Sequence, residues 1–337
     1  MKTYTKYLFV LLAAGAAFLW SCKKEDDTLP TLSGDLRFEP LPAYVQEGDS
    51  FHIVATGVYR GSNRADSLVG YRMFNPLTAR YDTLRLENEE GPAEADFVIS
   101  ADTLNTFTLN VYAFAKGYYG ASFSSSFTIV NPSLDTLKGS LKGHQFGYKL
   151  KTKFNDERDG STYYASSLSS GGWMLQNLAW DGAGIPFADC ESMNYIAGRF
   201  YNWDEAQTAC PAGWKLPSDA DFVALAGSGT AGENISGVAG KLKGDVYFNG
   251  KQLWPYNGKD ITLTNETDFT AATWGYLTVS AGVHQFRESG VSAVFWTSDS
   301  IDAENGVARY IKADSNDFFY QSFDKKSFYA SVRCIKE

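Results

Sequence analysis

Between residues 34 and 131, apolar and polar side chains alternate with a two-residue period, in short runs broken by turn residues. Phe51, Ile53 and Ala55 alternate with His52, Val54 and Thr56; Phe107, Leu109, Val111 and Ala113 with Thr108, Asn110 and Tyr112; Phe123, Phe127 and Ile129 with Ser124, Ser126 and Thr128. Successive side chains of a strand point to opposite faces, so each run buries one face and wets the other, a pattern that a helix of 3.6 residues per turn does not produce. Turn chemistry falls between the runs at Glu47-Gly48-Asp49, Gly61-Ser62-Asn63, Glu90-Gly91-Pro92 and Lys116-Gly117. About seven short strands over about 100 residues predict an all-β sandwich for residues 34–131. The segment contains no cysteine, so it lacks the disulfide of antibody-type domains.

This stretch resembles the immunoglobulin-like or PKD-like modules that follow the anchor in many bacterial surface lipoproteins. The resemblance implies a spacer that lifts the next domain off a membrane.

The leader supports that placement. Residues 1–21 read as a secretory signal: Lys2 and Lys6 precede an apolar run from Tyr7 to Trp20 that is short for a membrane span. The run ends Leu19-Trp20-Ser21-Cys22, which resembles a lipobox and implies that Cys22 carries diacylglycerol. Several acyl chains on one cysteine hold stably in a bilayer, at about 0.8 kcal/mol per buried CH₂. Lys23-Lys24-Glu25-Asp26-Asp27 resembles the export signal of Bacteroidetes lipoproteins, which implies the outer face of the outer membrane. Residues 22–33 are mostly polar and contain Pro30, so they are expected to form a flexible tether.

Charge narrows the partners. The formal net charge is −9, and −11 once Lys2 and Lys6 leave with the signal. An acidic surface repels phosphate backbones, which excludes nucleic acid as the expected partner. His52, His144 and His284 are far apart and none sits beside a cysteine pair at zinc-ligand spacing, so neither a metal nor another cofactor is expected.

One triplet recurs: Asp, then Ser or Thr, then an aliphatic residue. It places hydroxyls at Thr28, Ser67, Thr83, Thr103, Thr136 and, in the second half, Ser300. The triplet resembles the acceptor of the general O-glycosylation system of Bacteroidetes; it is also good turn-then-strand chemistry.

After Asn131-Pro132-Ser133 the pattern changes. Residues 132–144 read as a linker and 145–337 as a second domain of mixed helix and strand. Its motifs come in order: Asp156-Glu157-Arg158-Asp159-Gly160-Ser161-Thr162-Tyr163, Gly172-Trp173-Met174-Leu175-Gln176-Asn177-Leu178, Gly198-Arg199-Phe200-Tyr201-Asn202-Trp203, Cys210-Pro211-Ala212-Gly213-Trp214-Lys215-Leu216-Pro217-Ser218-Asp219, Ala239-Gly240-Lys241-Leu242-Lys243, Val294-Phe295-Trp296-Thr297-Ser298 and Ser331-Val332-Arg333-Cys334. Together they resemble the Fibrobacter succinogenes major paralogous domain, a family similar to the C-type lectin fold. The implied architecture is an all-β sandwich followed by an α+β C-type lectin-like domain.

The residues fit that architecture. Trp203, Ala206 and Cys210 lie at i, i+3 and i+7, one face of a helix that Pro211 and Gly213 would end. Ser218 is a plausible N-cap for the next helix, with Asp219 and Asp221 at its positive end. The resemblance implies a disulfide between Cys210 and Cys334, closing a loop of more than 120 residues. Cys190 is then either a buried free thiol or a rival partner for Cys210.

Function is expected to be recognition rather than catalysis. The Glu-Pro-Asn and Trp-Asn-Asp signatures of calcium-dependent lectins are missing. The formylglycine-generating enzymes share the implied fold but need a close reactive cysteine pair, and only Cys334 follows Cys210. No Ser-His-Asp set or phosphate loop occurs either, so no catalytic residue is assigned. The stretch 244–290 is rich in aromatics among polar residues, and Trp254, Tyr256, Trp274 and Tyr276 are the candidate ligand-stacking rings. The expected protein is a lipid-anchored cell-surface adhesion module that binds a glycan or another surface protein. The alternatives are an enzyme on the formylglycine-generating fold and a structural envelope or pilus component.

Overall fold

The structure is a computed structural model that describes residues 28–62, 68–101, 105–130, 151–166, 172–248, 251–255 and 261–337. The leader 1–21, Cys22, the linker 132–144, Ser67, Thr103, Thr136 and Tyr256 lie outside the described residues.

The first half forms two sheets over one core. Ser33–Arg37, Ser50–Tyr59 and Ala93–Val98 make a three-stranded sheet in that order. Tyr44–Val45, Ala121–Ile129, Thr106–Phe114, Gly70–Asn75 and Arg80–Arg85 make a five-stranded one. Ile53 and Phe97 from the first sheet pack in one cluster with Met73, Leu109, Val111 and Phe127 from the second. The alternation therefore does what it predicts: in Ser50–Tyr59, Ile53 and Ala55 are buried while His52, Val54 and Thr56 are exposed. The folded unit starts before residue 34. Tyr119 donates its backbone N–H to the Pro30 carbonyl, Thr31 bridges Tyr119, and Leu32 is buried. The expected tether is shorter than 22–33, because Leu32 supplies apolar surface that the sandwich covers. Thr28 and Thr83 are both exposed.

The second half is built on a larger sheet. Its main path runs Ile185–Pro186, Arg199–Tyr201, Phe328–Ser331, Ser292–Ser300, Asn305–Lys312, Phe318–Asp324. A hairpin of Tyr276–Ser280 and Val283–Arg287 joins it through Phe328–Ser331. Two helices flank the sheet. In Trp203–Ala209, Asn202 and Glu205 cap each other reciprocally. In Asp219–Ala226, Ser218 and Asp221 do the same, and Gly227 closes the end in the left-handed conformation. Cys210 ends the first of these helices and is bonded to Cys334, with 5.9 Å between Cα atoms. Cys190 is buried and unbonded, so it is the free thiol and not a rival for Cys210.

One buried cation shapes the loops beside this sheet. The Lys243 ammonium donates to the carbonyls of Lys312 (2.8 Å) and Ser315 (2.9 Å) and lies 4.9 Å from the centre of the Trp254 ring. Burial pushes its pKa from 10.5 down to about 8, with Asp314 opposing the shift. The unfolded chain holds this proton more tightly than the folded one. The group therefore contributes stability at pH above about 10.5 that is lost as pH falls through about 8. Lys243→Ala leaves two carbonyls without a donor and should cost about 2–3 kcal/mol at neutral pH. It should also remove the part of the stability rise between pH 8 and 10 that this amine supplies. Urea midpoints of both proteins across that range test this; parallel pH curves would count against it.

Candidate functional site

Of the four rings singled out in 244–290, Tyr256 lies outside the described residues and the other three have different fates. Trp254 is only 3% exposed, its Nε1–H donates to the Ala271 carbonyl (2.7 Å), and it packs in a core with Phe269 and Leu242. It offers no face to a ligand, because the long loop needs its own apolar filling. Tyr276 is half-buried and stacks on Phe328 at 4.9 Å. Trp274 is 5% exposed but lies edge-on to Phe187 and Phe248, each with its ring centre 5.5 Å away. Of these three, Trp274 lines an open site.

That site is a crevice of about 620 Å³ where the two halves of the chain meet. Tyr44, Phe187, Phe248 and Trp274 form its aromatic wall. The Tyr44 ring is 5.9 Å from both Phe187 and Phe248, so one ring from the first half closes a cluster built by the second. Asn105, Thr106, Thr128 and Gln252 supply amides and hydroxyls at the rim, and Lys251 a charge. The halves are tied here: the Ser192 hydroxyl donates to the Tyr44 carbonyl (3.0 Å), and Val130 is buried among Phe187, Met193 and Ile196.

The crevice is lined by aromatic rings and neutral polar side chains, with Lys251 at its edge. Burial, with nearby Cys190 adding to it, raises the Tyr44 pKa, so the phenol is neutral and can donate or accept. Burial likewise raises the Cys190 pKa and keeps it a thiol, the unreactive form. Rings beside neutral polar groups suit a ligand with apolar faces and hydroxylated edges. Phe248 belongs to the aromatic-rich stretch 244–290 marked in the sequence, but Tyr44 and Phe187 were not singled out. They come from segments far from it in the chain: Phe187 meets Phe248 through Trp274, and docking of the short strand Tyr44–Val45 against Ser192 adds Tyr44.

Residues 147–336 match the sequence profile of the Fibrobacter succinogenes major domain. The chain belongs to that family. A comparison with curated proteins finds no match.

The motifs of the Fibrobacter succinogenes major domain are mostly scaffold in this chain. Trp173, Met174 and Leu178 are core residues. The buried Arg333 guanidinium donates to Asn177 Oδ1 (2.8 Å), while Asn177 Nδ2 donates to the Ala197 carbonyl (2.8 Å) and to Ser331 Oγ (3.1 Å). Two motifs, and the residue just before a third, thus share one hydrogen-bonded knot. Gly198 is required there: its φ is +79°, and a Cβ would lie 2.4 Å from Asn177 Cβ. Arg199 reaches the Ala183 and Gly184 carbonyls (3.0 and 2.9 Å) and Glu191 (2.8 Å), pinning the loop that carries Phe187 into the crevice.

Proposed function

We propose that the mature chain is a lipid-anchored, surface-displayed recognition protein that binds a glycan, without catalysis, in the crevice between its halves. In this reading Cys22 holds the outer membrane, the first half is an immunoglobulin-like spacer, and the second is a C-type lectin-like domain facing outward. The disulfide from a helix end to the C-terminal strand region supports the lectin-like assignment. The exposure of Thr28 is compatible with O-glycosylation at the base of the stalk.

The observation that carries the reading is the open cluster of Tyr44, Phe187, Phe248 and Trp274 beside Asn105, Thr106, Thr128 and Gln252. Sugar rings present C–H faces to aromatic rings and hydroxyls to amides, and the crevice offers both within one volume. Phe248 is the ring to test, because it is half-buried and sits in a short hairpin rather than in the central sheet. On a glycan array, the mature protein should bind a restricted set of glycans, and Phe248→Ala should weaken the best of them about tenfold. Absence of glycan binding by the unmutated protein would replace this reading with that of a surface-protein partner.

A further inference from the structure

The outward face of the five-stranded sheet carries a feature that the crevice does not use. The pairing register puts Arg72 opposite Thr83 and Tyr112, and Phe74 opposite Tyr81 and Asn110. These side chains project from the sheet on the side away from Met73, Leu109 and Val111, which are buried. Tyr81 is 54% exposed although it is a large ring on a sheet face. Its centre lies 5.1 Å from Phe74 and 6.0 Å from Tyr112. The Arg72 guanidinium lies over both tyrosine rings, 4.6 Å from the Tyr81 centre and 5.5 Å from that of Tyr112.

Arg72 is the one charged side chain on the outward positions of Gly70–Asn75, Thr106–Phe114 and Ala121–Ile129 among the described residues, so these positions carry none of the carboxylates that give the protein its net charge of −9 and repel polyanions elsewhere on its surface. Among the described residues no carboxylate lies within ion-pair distance of it, and its contacts are with the two rings. Contacts to ring faces use none of the guanidinium's N–H donors, which can meet a carboxylate in two parallel hydrogen bonds.

From this platform a row of polar side chains runs along the same face. The Ser124 hydroxyl donates to Asn110 Oδ1 (2.6 Å), Thr108 pairs with Ser126 (3.0 Å), and Thr106 pairs with Thr128 (3.0 Å). The row from Tyr112 to Thr106 is about 20 Å long at strand spacing. Each paired hydroxyl keeps capacity for a further partner. An exposed ring, a guanidinium with no carboxylate partner among the described residues, and a row of hydroxyls together match a chain of sugars that carries carboxylates.

We propose that this sheet face is a second binding site, for an acidic polysaccharide, with Arg72 receiving a uronate or sialate carboxylate and Tyr81 stacking on a neighbouring sugar ring. The first half is then a second binding module as well as a spacer: its hydroxyl row ends at Thr106 and Thr128 on the crevice rim, whereas Arg72 and Tyr81 lie outside that rim.

Affinity electrophoresis of the mature full chain in gels containing polygalacturonate, hyaluronan or polysialate, with neutral mixed-linkage β-glucan as comparison, tests the assignment. At least one acidic polymer should retard the protein and the neutral one should not. Arg72→Gln and Tyr81→Ala should each weaken retardation about tenfold or more, Arg72→Lys should restore only part of it, and Phe248→Ala should leave it within about twofold. Both altered positions are exposed, so thermal unfolding should be unchanged and a loss of retardation is a loss of binding. The site is refuted if none of the three acidic polymers retards the protein, if the neutral polymer retards it equally, or if Arg72→Gln and Tyr81→Ala behave as the unaltered chain.

Discussion

Replacing Cys210 and Cys334 together by alanine is expected to lower the stability of the second domain by about 5 kcal/mol. The two residues are 124 apart, so the bond closes most of that domain into one loop. In the chain-entropy account, the unfolded ensemble loses more freedom the longer the closed loop, and the folded state gains by the difference. Cys334 is fully buried in a cluster with Tyr201, Ala206, Ala209 and Trp296, so a small void adds to the loss there. Since whole domains are stable by only about 5–15 kcal/mol, the altered protein should be close to unfolded at body temperature. Guanidinium unfolding of the oxidised protein, the reduced protein and the double alanine variant measures this. The reduced protein and the variant should agree within the small void term. A shift of less than about 1 kcal/mol in both would mean that the helix end and the C-terminal strand region are held by packing alone.

The same bond shows how far the chain can be read before it folds. Local patterns transfer well. The alternation around Ile53, Leu109 and Phe127 fixes which faces are inside, since period and burial follow from strand geometry alone. Ser218 is a cap because a hydroxyl followed three residues later by Asp221 satisfies the helix's first free N–H groups wherever it occurs. Aromatic residues in a polar loop transfer badly. Trp254 and Trp274 look alike in sequence, yet one fills a core and the other borders a crevice. The difference lies in partners outside the local sequence: the Ala271 carbonyl, 17 residues on, for Trp254, and the far more distant Phe187 for Trp274. Tyr44 is the extreme case. Nothing near it in sequence marks it as a site residue, and it becomes one only because Ser192 and Phe187 pack against its short strand. Arg72 could have been suspected from its place in Gly70–Asn75, but the rings that hold it stand on two other strands.

The pair Asp219–Arg309 was also invisible in sequence, and breaking it is expected to have the second large effect. Arg309 is completely buried, and its guanidinium donates from Nε to Asp219 Oδ1, from one terminal nitrogen to Oδ2 at 3.1 Å, and from the other to the Glu233 carbonyl at 2.7 Å. Asp219 opens the Asp219–Ala226 helix, and its Oδ2 also accepts the Gly232 N–H at 2.7 Å. The pair thus binds a helix start, the loop after that helix and the strand Asn305–Lys312 at one point. Either Asp219→Ala or Arg309→Met strands an uncompensated charge away from water, and each should cost about 3–5 kcal/mol. The combined Asp219→Ala, Arg309→Met protein buries no stranded charge. It should be destabilised by at least about 2 kcal/mol less than the sum of the single changes, because much of each single loss is the cost of the abandoned partner rather than the worth of the bond. Urea unfolding of the four proteins closes the cycle. If the losses simply add, the two residues are not energetically coupled, and the loop Gly227–Glu233 must be positioned by its own turns.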